Sequence, residues 1–133
     1  MALKKSEREK LKQKYGGRCA YCGCELGDKW HADHIEPIVR NDWCHRVGMD
    51  KSYNRAPDYP ERDCIENMNP ACAPCNIDKH SFSLEHWRDQ MQKSNDVLMR
   101  DNATFRRAVR YGLVKLISEP IVFYFEKVSD AHT

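Results

Sequence analysis

The stretch Cys72-Ala73-Pro74-Cys75-Asn76-Ile77-Asp78-Lys79 joins a Cys-x-x-Cys pair directly to helix-forming residues, and Cys19-Ala20-Tyr21-Cys22 repeats its spacing upstream. That spacing lets both thiolates of a pair turn toward one tetrahedral metal ion. The two pairs are therefore read as one structural zinc site made by Cys19, Cys22, Cys72 and Cys75. Four thiolates leave no coordination position for water or substrate, so the expected task is mechanical: to tie the N-terminal segment to the start of a later helix. The competing readings are two unrelated reduced pairs or a redox Cys-x-x-Cys, and the doubled spacing argues against both.

Working outward, Pro70 and Pro74 delimit the second knuckle, and a helix is expected from about Asn76 or Ile77. Upstream of them, Cys64-Ile65-Glu66-Asn67-Met68 reads as a return strand. Its partner is the short strand Lys29-Trp30-His31-Ala32-Asp33-His34-Ile35, ended by Pro37. Residues 39–62 lack periodicity and read as a long connecting loop. Between Arg18 and Gly27, cysteine and glycine favour a tight knuckle and a turn. Ser6 can cap a helix over 6–14, with Leu3, Leu11 and Tyr15 as apolar contacts and Gly16-Gly17 as its stop. Downstream, Ser83 can cap a helix to about 93 through Leu84, Trp87 and Met91, and a second helix over 104–117 follows Phe105, Val109, Leu113 and Leu116. Ile121-Val122-Phe123-Tyr124-Phe125 reads as a β-strand or a buried tail.

A length of 133 residues suits one compact domain, and 41% hydrophobic beside 32% charged residues is ordinary for a globular protein. The strongly negative mean hydropathy implies a thin core that benefits from a staple, which metal can supply. A net charge of +2, from 22 basic and 20 acidic residues, does not by itself announce a nucleic-acid binder. Seven cysteines, an odd number, argue against a fully paired disulfide framework. The charged opening Met1-Ala2-Leu3-Lys4-Lys5 carries no apolar signal region, and no apolar run is long enough to span a bilayer. A reducing cytoplasm is the expected location, where closely spaced cysteines are metal ligands more often than disulfides.

Between and just beyond the knuckles lie Asp33-His34-Ile35, Asn67, Asn76 and Lys79. This order resembles the HNH endonuclease family, whose pattern runs Asp-His-Ile, then Asn, then Cys-x-x-Cys-Asn or -His with a following Lys. The resemblance spans about residues 15–80, with the cysteine frame and the catalytic letters interleaved. It implies an α+β protein with a ββα-metal (HNH, or His-Me finger) core, a structural zinc knuckle and flanking helices, the C-terminal extension and final strand covering about 84–126. It also implies a DNA endonuclease that leaves a 5′-phosphate and a 3′-hydroxyl, of the free-standing kind common in phages and bacteria.

Phosphodiester hydrolysis needs an activated water, charge stabilisation at phosphorus and a rigid frame. Neighbours on a strand point to opposite faces, so Asp33 and His34 should divide the work. By the resemblance, His34 is the general base, its ordinary pKa lying near operating pH, while Asp33 and Asn76 hold the catalytic cation. A carboxylate and an amide oxygen suit magnesium or manganese, which complete their shells with water and substrate oxygens. Asn67 is implied to fix the backbone of the base, being nine residues before Asn76 as in the family, with Asn69 as the alternative. Lys79, three residues after Asn76, can meet a phosphate or be a solvated helix lysine.

His31 shares Asp33's strand face and is read as a solvent-facing residue or an extra ligand. Cys24, Cys44 and Cys64 are read as free thiols, the alternative being a second metal site from Cys44-His45 and Cys64. Duplex DNA is the expected partner. Arg106 and Arg110 form an i, i+4 basic pair near Arg100, Arg107 and Lys115, while Arg40, Arg46, Arg55 and Arg62, with Trp43, Tyr53 and Tyr59, make the long loop the better candidate for a groove contact. A noncatalytic zinc module that binds nucleic acid is the alternative function, and a thiol oxidoreductase the third.

Overall fold

The computed structural model describes residues 3–38 and 59–131. The chain divides into two compact units, one formed by residues up to Ser83 together with those from Phe123 onward, the other by residues 84–122.

The first unit opens with α1 (Lys5–Lys12). Ser6 lies inside its first turn and is not its cap; the reach-back comes from the Glu7 carboxylate, which accepts from the Lys4 amide at 3.1 Å. A 3₁₀ turn at Gln13–Tyr15 follows, and the chain then reverses at Gly16, whose φ of +65° a side chain would strain. The apolar face of α1 is little more than Leu11, which is buried with Trp30 and Met68 and fringed by Leu3, Leu26 and Ala32. Three such side chains contribute roughly 1.5–3 kcal/mol each. That is small beside an ordering cost of about 1–2 kcal/mol per residue, and polar clamps add to it. Arg8 donates to the Trp30 carbonyl at 2.9 Å with its guanidinium 4.0 Å above the Trp30 ring, and Lys14 donates to the Met68 carbonyl and to Asn69 Oδ1 at 2.9 and 3.1 Å.

Strands β1 (Trp30–His34) and β2 (Met68–Cys72) form an antiparallel pair in which Trp30 faces Cys72 and His34 faces Met68. The expected return strand over 64–68 is thus displaced: Ile65–Asn67 is a 3₁₀ turn, and the strand runs through Pro70 instead of stopping there. The reason lies in the pleat. The Pro70 carbonyl accepts from Ala20 in the knuckle at 2.8 Å, and a strand residue's N and O point the same way, so the missing N–H falls outside the ladder. Helix α2 (Ala73–Lys79) begins at the second knuckle, earlier than the expected Asn76, because Pro74 fits a first turn that needs no amide donor. It ends at His80, whose φ of +53° is the one positive value outside glycine among the described residues.

The expected strand over 121–125 is also corrected. Tyr124 and Phe125 donate their amides to the Tyr21 and Ala20 carbonyls at 3.0 and 2.8 Å, and a helix, Tyr124–Ala131, starts there. The apolar run is the aromatic root of that helix: Phe123, buried, and Phe125 pack on Tyr21 at 5.5 and 6.2 Å between ring centroids. Five apolar residues do not distinguish a strand from a helix entry. Calling this last helix α6 leaves three for the second unit.

Those three are α3 (Leu84–Gln92), with Trp87 buried, then α4 (Ser94–Asp101), which the pattern did not foretell, and α5 (Ala103–Arg110). Asn102 caps α5 by accepting from the Phe105 amide at 2.9 Å. The helix expected to reach 117 stops at Arg110, because Gly112 at φ +75° closes a Schellman motif in which Leu113 and Gly112 donate to the Ala108 and Val109 carbonyls. Leu113 and Leu116 therefore leave the helical face and are exposed. The segment beyond returns along α3 and α4. Gln92 clamps both the Glu119 carbonyl and the Ile121 amide, and Arg88 donates to the Ile121 carbonyl at 2.8 Å.

Candidate metal centres and active-site pocket

The first knuckle is shaped by backbone bonds: the Cys19 amide donates to the Cys24 carbonyl at 2.8 Å, and the Gly23 amide to the Cys19 carbonyl at 3.0 Å. The second places Cys72 at the end of β2 and Cys75 in the first turn of α2. Together they bring the Sγ atoms of Cys19, Cys22, Cys72 and Cys75 within 4.8 Å of one another, with Cys22 and Cys72 at 3.7 Å. Sulfurs about 2.3 Å from a tetrahedral zinc lie roughly 3.8 Å apart, so the set fits that ion with little adjustment. The thiols are coupled: a hydrogen bond from Cys75 draws the Cys19 thiol down to about 4, against its burial, while the same bond pushes Cys75 up and burial pushes Cys72 up. A divalent cation bound there would take the place of the shared protons. The four cysteines can hold a metal such as zinc.

Cys24 stands beside this set, its thiol pushed up to about 12 by desolvation and by the Cys22 and Cys72 thiols, and it is not one of the four. Cys64 is a free, half-buried thiol. Cys44 and His45 lie outside the described residues.

A pocket of about 320 Å³ opens at the end of β1, bordered by Asp33, His34, Asn76, His80 and Ser81, with an apolar wall of Ala32, Pro37 and Ile38. The sheet and α2 thus bring Asp33, His34 and Asn76 to one cavity. His34 is half-buried, and its Nε2 lies 2.9 Å from Oδ1 of Asp63. Asn67 does not border the pocket but pins the chain just past His34: Nδ2 donates to the Glu36 and Arg62 carbonyls at 2.8 Å each, and Oδ1 accepts from the Glu36 amide at 3.0 Å. Asn69 is buried opposite Asp33, its Oδ1 taken by Lys14. His31 is exposed and away from the pocket.

Asp33 is buried at 5% exposure, and its Oδ2 takes a hydrogen bond from the Tyr21 hydroxyl and an ion pair from Lys79 Nζ at 3.1 Å. Burial pushes the Asp33 carboxyl above the usual carboxylate range against the opposing pull of Lys79 and Tyr21. Burial, then the Asp33 charge, holds the Tyr21 phenol well up, so it stays a donor. Lys79, expected to meet a phosphate or stand in solvent, is not a solvated lysine. At 0% exposure its ammonium is spent on Asp33 and on the His34 carbonyl at 2.8 Å, so helix position did not decide its direction.

Three residues at the site escaped the sequence reading. His80 follows Asn76 at helical i+4 spacing, a signal that was there to be used. Asp63 and Tyr21 reach their partners across long chain separations, and no spacing rule finds them. Of the arginines proposed for DNA, Arg40 and Arg46 lie outside the described residues, as do Arg55, Trp43 and Tyr53. Arg106 is spent internally, donating to the Met99 and Arg100 carbonyls at 2.9 and 2.8 Å where α4 ends. Arg110 is exposed, 5.3 Å from the Tyr111 ring centroid.

Over 98 residues the chain is 25% identical to "SPbeta prophage-derived putative HNH endonuclease YoqL" of Bacillus subtilis (strain 168), a match covering 65% of this chain and 33% of that protein. The chain thus spans about a third of the length of that relative. No family model and no solved structure matches the chain. Among the described residues no helix is long and apolar enough to cross a membrane.

Proposed function

We propose that this chain is a metal-dependent HNH endonuclease that hydrolyses DNA phosphodiester bonds by one-metal, general-base catalysis, nicking or cutting the duplex. The observation that carries the reading is the meeting of Asp33, His34 and Asn76 at one pocket, with Asn76 directly after Cys75 of the four-cysteine cluster. Asp33 and Asn76 would hold magnesium or manganese, and His80 adds a donor at the same rim. Such a cation, when bound, supplies positive charge to the phosphate oxygens and to the departing 3′-oxygen.

The protein's own part is proton transfer and alignment. With Nε2–H directed to Asp63, His34 presents Nδ1 as the free base; it takes the proton of the attacking water as the new P–O bond forms and the P–O3′ bond breaks. Asn67 holds the backbone behind this imidazole. Zinc on the four cysteines would keep β2 and α2 at a fixed distance from the first knuckle. Arg110 and the arginines of residues 39–58 offer contacts to the DNA backbone, and a cytoplasmic setting suits reduced thiolate ligands.

Supercoiled plasmid incubated with zinc-replete protein and manganese tests the reading. Conversion to nicked or linear DNA is expected, with loss in Asp33→Ala and His34→Ala. A protein that binds zinc and DNA but shows no such conversion is the noncatalytic module instead.

A further inference from the structure

We infer that Tyr21 and Lys79 are positioning residues that grip Asp33 by Oδ2 and leave Oδ1 for a cation, so that the zinc knuckle sets the geometry of the second metal site. The inference rests on the metal role proposed above for Asp33.

Tyr21 lies between Cys19 and Cys22, and its amide is 3.4 Å from Cys19 Sγ. Its carbonyl accepts from Tyr124, and its ring meets Phe123 edge-on at 5.5 Å and Phe125 at 6.2 Å. A phenol held at backbone and ring delivers its hydroxyl to one place. That place is Oδ2 of Asp33, where Lys79 Nζ also arrives, 3.1 Å away, while donating to the His34 carbonyl at 2.8 Å. The knuckle, β1 and α2 therefore converge on a single carboxylate oxygen. Among the described residues Oδ1 has no partner, yet it is not among the sealed, unsatisfied side-chain atoms. Asp33 borders the pocket, and an ion seated there would meet this carboxylate at Oδ1, the oxygen that Tyr21 and Lys79 leave over.

The same zinc would hold both gripping residues. Tyr21 is inside the first knuckle, and Lys79 closes the helix that begins between Cys72 and Cys75. Buried ion pairs are weak sources of stability compared with apolar replacements, whereas they fix orientation well. A carboxylate locked at one oxygen cannot rotate away from a weakly held cation, which is how partners of a metal ligand raise its affinity.

The experiment uses the full chain, zinc-replete, titrated with manganese alone while free manganese is followed by electron paramagnetic resonance, with zinc content and circular dichroism measured in parallel. Tyr21→Phe removes only the hydroxyl. It is expected to weaken manganese binding roughly ten-fold or more with one zinc per chain and the native spectrum retained; Asp33→Ala, the reference, should abolish that binding. Unchanged manganese affinity in Tyr21→Phe, beside loss in Asp33→Ala, overturns the inference and leaves the proposed function standing. Loss of zinc or of the fold in Tyr21→Phe overturns it too, since the hydroxyl would then serve the knuckle. Unchanged affinity in Asp33→Ala removes the metal role of Asp33 itself.

Discussion

Nε2 of His34 and Oδ1 of Asp63 lie 2.9 Å apart, an imidazole and a carboxylate joined across 29 residues of chain. An ionised carboxylate can only accept, so this pairing directs an Nε2–H to Asp63 and turns Nδ1 away from it. Replacing Asp63 by Ala frees the ring to rotate and to change tautomer, and a loss of about 10–100-fold in cleavage rate is expected. Asp63→Asn keeps an accepting oxygen and should retain most of the rate. Single-turnover nicking at saturating manganese measures both; equal rates in Asp63→Ala and wild type would remove Asp63 from the mechanism.

Lys79 separates a structural from a substrate-binding role. Lys79→Gln leaves the Asp33 carboxylate buried without its cation, a change that costs about 3–5 kcal/mol when one partner of a buried pair is lost. Urea denaturation should show that loss. If instead stability holds and only DNA affinity drops, the ammonium reaches phosphate after all.

Zinc removal should unfold the first unit. Its buried apolar cluster is small, and the four cysteines join segments 50 residues apart in the Cys22–Cys72 pair. A strong chelator, or Cys72→Ser, is expected to abolish the near-ultraviolet dichroism of that unit. Acid should do likewise, because thiolate ligands take up protons as pH falls. A melting curve indifferent to chelator counts against the site.

Asn67 makes three hydrogen bonds to backbone on two segments. Asn67→Ala should destabilise by about 0.5–1.5 kcal/mol, since water can replace its bonds to the exposed Glu36 backbone, and should slow cleavage by loosening the chain behind His34. Hydrogen exchange at Glu36 reports the first effect. Protection equal to wild type would show that the carboxamide is dispensable.

Arg106 and Arg110 should part company. Arg110→Ala is expected to reduce the salt dependence of DNA binding by about one unit of slope, whereas Arg106→Ala uncaps the end of α4 and lowers stability with little change of slope. Binding isotherms at several salt concentrations, beside thermal melts, tell them apart; identical behaviour of the two variants would refute the assignment.

The cysteine pairs were legible because two residues between ligands is a local geometric requirement, met by a turn wherever it occurs. Asp33, His34 and Asn76 could be named for a different reason: their order between and just beyond the cysteine pairs resembles the HNH pattern. Gly112 shows a local signal misread, since a residue suited to positive φ stood at the point where the helix ends while the apolar period ran on through Leu113 and Leu116.

By itself the sequence of this protein marked out the four cysteines that gather into one cluster, the order strand, strand, helix, and three of the residues that border the pocket, from spacing along the chain, side-chain chemistry and a family resemblance. Tertiary structure alone decided that β2 runs through Pro70, that the final apolar run roots a helix, that Lys79 turns inward to Asp33, and that Tyr21 and Asp63 stand behind the site. Those outcomes depend on which surfaces meet. A buried donor goes to the acceptor that folding places beside it, and contacts 29 or 45 residues apart leave no periodic trace.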